Sequence, residues 1–188
     1  SDAPNKFATS VGYLLTRSNP ERAVGEAIDQ LISERQHWEN HELANSNETL
    51  YALLQHCYSL NNAMSGSDFT AKALRKGLAN YIQQKGYQFK DSSPLISKIV
   101  KCVFGADRRR VSAYSIVLRT ALAKQLQVTE IANFIRESGG VEEVRLSKSP
   151  NAMTVKQKAE AGASTLTNTT IVNVTAPAFK EALDAGNI

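Results

Sequence analysis

Apolar residues recur at helical spacing through most of the first 146 positions. After Pro20, the residues Val24, Ile28, Leu31 and Ile32 lead toward Trp38 at intervals that place them on one face of an α-helix. Asn19 stands ahead of Pro20 and Glu21, an N-cap followed by proline at the first helical position, where its missing N–H goes unneeded. A second stripe, Leu50, Leu53, Leu54, Cys57 and Tyr58, follows Asn47. Ser67 and Asp68 open a third helix, with Leu74, Leu78, Tyr81 and Ile82 inward and Gly86 as its stop. Ser93-Pro94 opens a fourth, whose stripe is Leu95, Ile96, Ile99, Val100 and Val103 and whose end is Gly105. Asp107 caps a fifth that runs to about Gln125. Thr129 caps a short helix through Ile131, Phe134 and Ile135, closed by Gly139-Gly140, and a last short helix covers 141–146. With a further helical pattern over 7–17, this predicts a mainly α fold, a multi-helix bundle of about six to seven helices over residues 1–146.

Beyond Leu146 the pattern changes. Residues 147–152, SKSPNA, read as a linker, and MTVKQKAEAGA reads as a polar helix. TLTNTTIVNVTA is rich in threonine and valine and reads as a strand. APAFKEALDAGN then reads as a helix with a glycine turn signal, and Ile188 as the first residue of another strand. Residues 147–188 are thus expected to form a small helix–strand–helix appendage truncated from a longer chain. A single strand has no independent stability and needs a partner.

A chain of 188 residues is long enough to bury a self-sufficient core. No apolar run approaches the roughly 18 residues needed to span a bilayer, and SDAPNKFATS has no signal-peptide pattern. Both cysteines, Cys57 and Cys102, fall inside apolar helical patterns, as reduced, buried thiols do. Together these features read as a soluble cytoplasmic protein.

Charge changes the picture more. Residues 1–67 hold 4 Lys/Arg against 8 Asp/Glu, a balance of −4. Residues 68–125 hold 12 against 3, a balance of +9, and residues 126–188 hold 6 against 7. One internal segment therefore carries all the positive excess, and its self-repulsion calls for an anionic partner. Its three helices each carry cations off their apolar stripe. Lys72, Arg75 and Lys76 lie on the first, and Lys98 and Lys101 on the second. On the third, a helical wheel groups Arg108, Ser112 and Arg119, with Arg109 at their flank, opposite Val111, Tyr114, Leu118, Ala121 and Leu122. If these faces converge they form a patch able to track a phosphate backbone. The acidic first part of the chain competes as an internal partner. Arg110 falls at the edge of the apolar side, placed to pair with an acid such as Asp107 or one on a neighbouring helix. Ile116 and Val117 lie off the main apolar side, which predicts burial on two sides or a subunit interface.

Catalytic patterns are missing. HWENH sets His37 and His41 one helical turn apart, with His56 as a conceivable third metal ligand, but Trp38 stands where a zincin motif needs glutamate. Cys57 follows His56 directly, and neighbours on a helix point about 100° apart, too far to act as a nucleophile–base pair. FGADRRR lacks the order of a P-loop. TEIA at 129–132 suggests a helix-turn-helix, but its turn should fall near Arg136, not at Gly139-Gly140, and Glu142 and Glu143 repel phosphate.

The stretch RRVSAYSIVLRTALAKQLQVTEIANFIRESGGVEEV (residues 109–144) resembles segments of uncharacterised proteins of bacterial plasmids and phages. That resemblance implies no activity and inclines the reading toward the DNA biology of mobile elements. The sequence therefore predicts a non-enzymatic accessory or regulatory protein that binds nucleic acid, DNA in preference, without cofactor, metal, membrane or small-molecule substrate. The expected contact residues are Lys72, Arg75, Lys76, Lys98, Lys101, Arg108, Arg109 and Arg119. The alternative is a helical interaction module in which Ile116, Val117 and the threonine-rich strand assemble a homo-oligomer.

Overall fold

A computed structural model describes residues 19–40, 47–105 and 107–148. Within them the chain is mainly helical and contains no strand. The elements are α1 (Pro20–Asn40), α2 (Asn47–Met64), α3 (Phe69–Lys85), α4 (Leu95–Phe104), α5 (Arg108–Ala123), a 3-10 turn (Val128–Glu130), α6 (Ile131–Glu137) and α7 (Val141–Ser147). The expected helix over 7–17 and the appendage after Lys148, with its strand, lie outside the described residues.

Local chemistry accounts for most helix ends. The Asn19 side chain accepts the Glu21 N–H at 3.0 Å, so α1 starts where the Asn-Pro pair predicts. Gly86, at φ 72°, closes α3 while the Tyr87 N–H reaches back to the Ile82 carbonyl at 3.1 Å. The Asp107 carboxylate accepts the N–H groups of Arg109 and Arg110 at 3.0 and 3.2 Å, fixing the start of α5. One cap differs from expectation. Thr129 lies inside the 3-10 turn; Gln127 is its N-cap, and the Glu130 carboxylate reaches back to the Gln127 N–H at 2.6 Å.

The core is continuous. α1 packs most extensively on α3 and also meets α4 and α2, while α5 packs on α4 and touches α2, and α6 packs on α2. Ile28, Leu31, Leu54, Leu60, Leu78, Ile96, Ile99, Leu118, Ile131 and Ile135 are all buried in it. Gly77 sets the closest approach of α1 and α3, since a Cβ there would stand 2.3 Å from the Glu21 carbonyl oxygen. The Tyr81 hydroxyl donates to Asp29 at 2.8 Å and the Tyr58 hydroxyl to the Leu126 carbonyl at 2.5 Å, tying α3 to α1 and α2 to the loop after α5. Between α6 and α7 the turn is made by Gly139 and Gly140, at φ 96° and 113°, a region L side chains rarely enter.

Candidate functional site

Two helices joined by a short turn build a cationic recess. α4 ends at Phe104 and α5 begins at Arg108, so the chain reverses through Gly105 and Asp107 and the helices pack side by side. Lys101 from α4 and Arg108 and Arg119 from α5 line one cavity of about 370 Å3. Ser97 enters from α4, and Ser112, Ser115 and Ile116 from α5. The reason lies in the sequence. Arg108, Ser112, Ser115 and Arg119 recur at intervals of four, three and four, which keeps them on one stripe of a helix. At about 1.5 Å per residue, Arg108 and Arg119 stand roughly 16 Å apart along α5, so the recess is a groove with an arginine near either end and Lys101 facing from the other wall.

Electrostatically the groove is one-signed. No carboxylate is among the residues lining it, and Arg108, Arg119 and Lys101 form no ion pair with the described residues. Lys101 instead lies over the rings of Tyr87 and Phe89, its Nζ 5.8 and 5.6 Å from their centroids. The Ser115 hydroxyl is buried with no hydrogen-bond partner. Arg108 also borders a second recess of about 460 Å3 with Arg109, Ser112, Glu142 and Arg145. There Arg145 is held to Glu142 at 2.8 Å.

The other predicted contact residues lie elsewhere. Arg75 turns its guanidinium onto the carbonyls of Met64 and Gly66, closing the end of α2. Lys76 pairs with Glu21 at 3.3 Å and Lys72 is exposed on α3, so this helix does not reach the groove. Lys98 is half-buried on α4 and does not line the cavity. Arg110 reaches the neighbouring helix: it donates to Glu39 of α1 at 2.7 Å, with its guanidinium 5.6 and 5.5 Å from the Trp38 and Phe104 rings. The acidic first part of the chain therefore neutralises Lys76 and Arg110 but leaves the groove cations uncompensated among the described residues.

No family model, curated protein or solved structure matches the chain. Its function has to be argued from the site.

For Val117 the structure gives the first of the two outcomes predicted for it and Ile116, burial on two sides rather than a subunit interface. Val117 is fully buried in the chain's own core, whereas Ile116 is half-exposed in the groove. The buried face of α5 also takes in Ala113 and Thr120, small or polar residues that an apolar wheel does not weigh. This rotates the inward side toward Val117 and leaves Val111 and Leu122 at its edges. Thr120 satisfies its hydroxyl on the Ile116 carbonyl at 2.7 Å. Ser97, Ser115 and Arg145 were missed in the sequence, because a serine inside an apolar stripe and a cation amid acids carry no signal of their own.

The residues weighed for catalysis give no reactive pair. His56 is buried in α2, and burial pushes its pKa down to about 4. Burial pushes the Cys57 thiol far above its ordinary range and Cys102 up to about 12, so neither supplies a thiolate near neutrality. His37 lies in the last turn of α1, and His41 falls outside the described residues.

Proposed function

We propose that the protein is a non-enzymatic nucleic-acid-binding protein, DNA in preference, that holds its partner along the α4–α5 groove. The observation that carries the reading is the gathering of Lys101, Arg108 and Arg119 around one recess with no acid in its lining. Arginine forks and lysine ammonium groups hold phosphate oxygens by charge-assisted hydrogen bonds, and serine hydroxyls add neutral ones. Such contacts position a strand without reading its bases, consistent with an accessory or regulatory role. Cations at intervals along a groove match a polyanion better than a single compact anion.

The test is electrophoretic or anisotropy binding of DNA across a salt series. Binding should weaken steeply with salt, and reversing Arg108 and Arg119 together to glutamate should cost about tenfold or more in affinity and flatten the salt slope. Salt-independent binding, or affinity unchanged by the double reversal, would count against the reading. The alternative, an oligomerisation module, draws on Ile116 and on Phe69, which is 84% exposed at the start of α3. It loses Val117, which is spent inside the core. A strict monomer in light scattering would remove it.

A further inference from the structure

Resting on the nucleic-acid reading, we infer that the groove takes a single strand rather than a duplex, its phosphates along Arg108, Lys101 and Arg119 and a base against Phe89. Three independent features lead there. The first is shape. A cavity of about 370 Å3 drawn out along two packed helices has room for one sugar-phosphate chain. A duplex would meet the rims of such a groove and leave its floor untouched.

The second is the floor. Ser115 lines the cavity and is 6% exposed, and its hydroxyl has no hydrogen-bond partner. A buried donor left unsatisfied is costly, and native proteins rarely keep one without a use. Ser97 and Ser112 line the same cavity from facing helices. A phosphate entering it gains hydroxyl donors as well as cations, a mixture that a purely solvated basic face does not provide.

The third is the aromatic edge. Lys101 belongs to the groove and at the same time sits over Tyr87 and Phe89 in the connection between α3 and α4. Tyr87 packs against the core, while Phe89 is half-exposed. An aromatic ring beside a phosphate-holding lysine is the arrangement by which proteins grip unpaired strands: the cation takes the backbone and the ring takes a base face, which only a single strand presents.

The experiment is fluorescence anisotropy with one short labelled DNA strand and the duplex made from it, on the full chain and on Phe89→Ala, Phe89→Trp and Ser115→Ala. The expected results are tighter binding of the single strand by about tenfold or more, a loss of about tenfold in Phe89→Ala, and recovery in Phe89→Trp. Phe89→Ala should leave the salt slope unaltered, because no cation is removed. Ser115→Ala, which removes only the hydroxyl, should weaken the single strand several-fold while unfolding at the same temperature or higher. Equal affinity for the two probes, or an unchanged affinity in Phe89→Ala that still melts as the parent does, overturns the inference and leaves the nucleic-acid reading standing. Failure of both probes to bind overturns both.

Discussion

The Arg110 guanidinium donates to the Glu39 carboxylate at 2.7 Å, joining the first turn of α5 to the last turn of α1. Glu39 also accepts from Arg35 at 2.7 Å, so one carboxylate serves two arginines. Burial alone would push the Glu39 carboxyl up, but the hydrogen bonds from Arg110 and Arg35 outweigh it and hold it below its ordinary value. Arg110 also lies beside the Trp38 and Phe104 rings, and Phe104 meets Tyr114 edge to face with centroids 4.7 Å apart.

Arg110→Ala should therefore destabilise the protein by about 1–3 kcal/mol in urea unfolding. Arg110→Lys should recover little of this, because a compact, strongly hydrated ammonium replaces poorly a delocalised guanidinium that donates to the carboxylate beside two aromatic rings. Trp38 is the chain's one tryptophan, so its emission reports this cluster alone and should shift in both variants. An unshifted spectrum with parental stability would show the pair to be ornamental.

Gly77→Ala tests the crossing of α1 and α3. Alanine favours the helix intrinsically by about 1 kcal/mol, yet its Cβ would stand 2.3 Å from backbone that cannot turn aside. The clash should win, with a net loss of about 1–3 kcal/mol and a lower melting temperature. A gain in stability would mean that the helices separate without cost.

His56 gives the stability a pH dependence. Its folded pKa, about 4, lies below the ordinary value of 6.5 because burial disfavours the charged ring. Between those values the unfolded chain binds the proton and the folded chain does not, so stability falls as pH drops through that window. The loss should reach about 3 kcal/mol by its lower end. Urea titrations at pH 7 and pH 5 measure it, and His56→Gln should flatten the dependence.

Cys57 and Cys102 should both resist a thiol reagent in the native state and react promptly in urea. Both are buried, and in both burial disfavours the thiolate. Rapid native labelling would require an opening of the core between α2 and α4.

The fold was legible where a local rule acted alone. Asn19-Pro20, Gly86 and Asp107 each mark an end that the structure keeps, because a cap depends on a few adjacent atoms. Arg108, Ser112 and Arg119 were legible as a stripe for the same reason, since spacing in a helix fixes a face. What could not be read was which faces meet. Arg75, Lys76 and Arg119 look alike in sequence, but one closes a helix, one pairs with Glu21 and one lines the groove. Those fates are decided by packing between segments far apart in the chain. The wheel set Val117 off the main apolar side for a related reason: burial of Ala113 and Thr120 turns the inward face by an amount that hydropathy does not record.

The reversal through Gly105 and Asp107 makes the groove a neighbourhood affair. Both walls come from one unbroken stretch, Ser97 to Arg119, whose halves fold back on each other. Contacts so close in sequence cost little loop-closure entropy to form. Substitutions within that stretch can retune its charge while the junction of α1 with α3 stays untouched. The hairpin shares the continuous core through Ile99, Val100 and Leu118, and Arg110 adds a polar tie from it to α1.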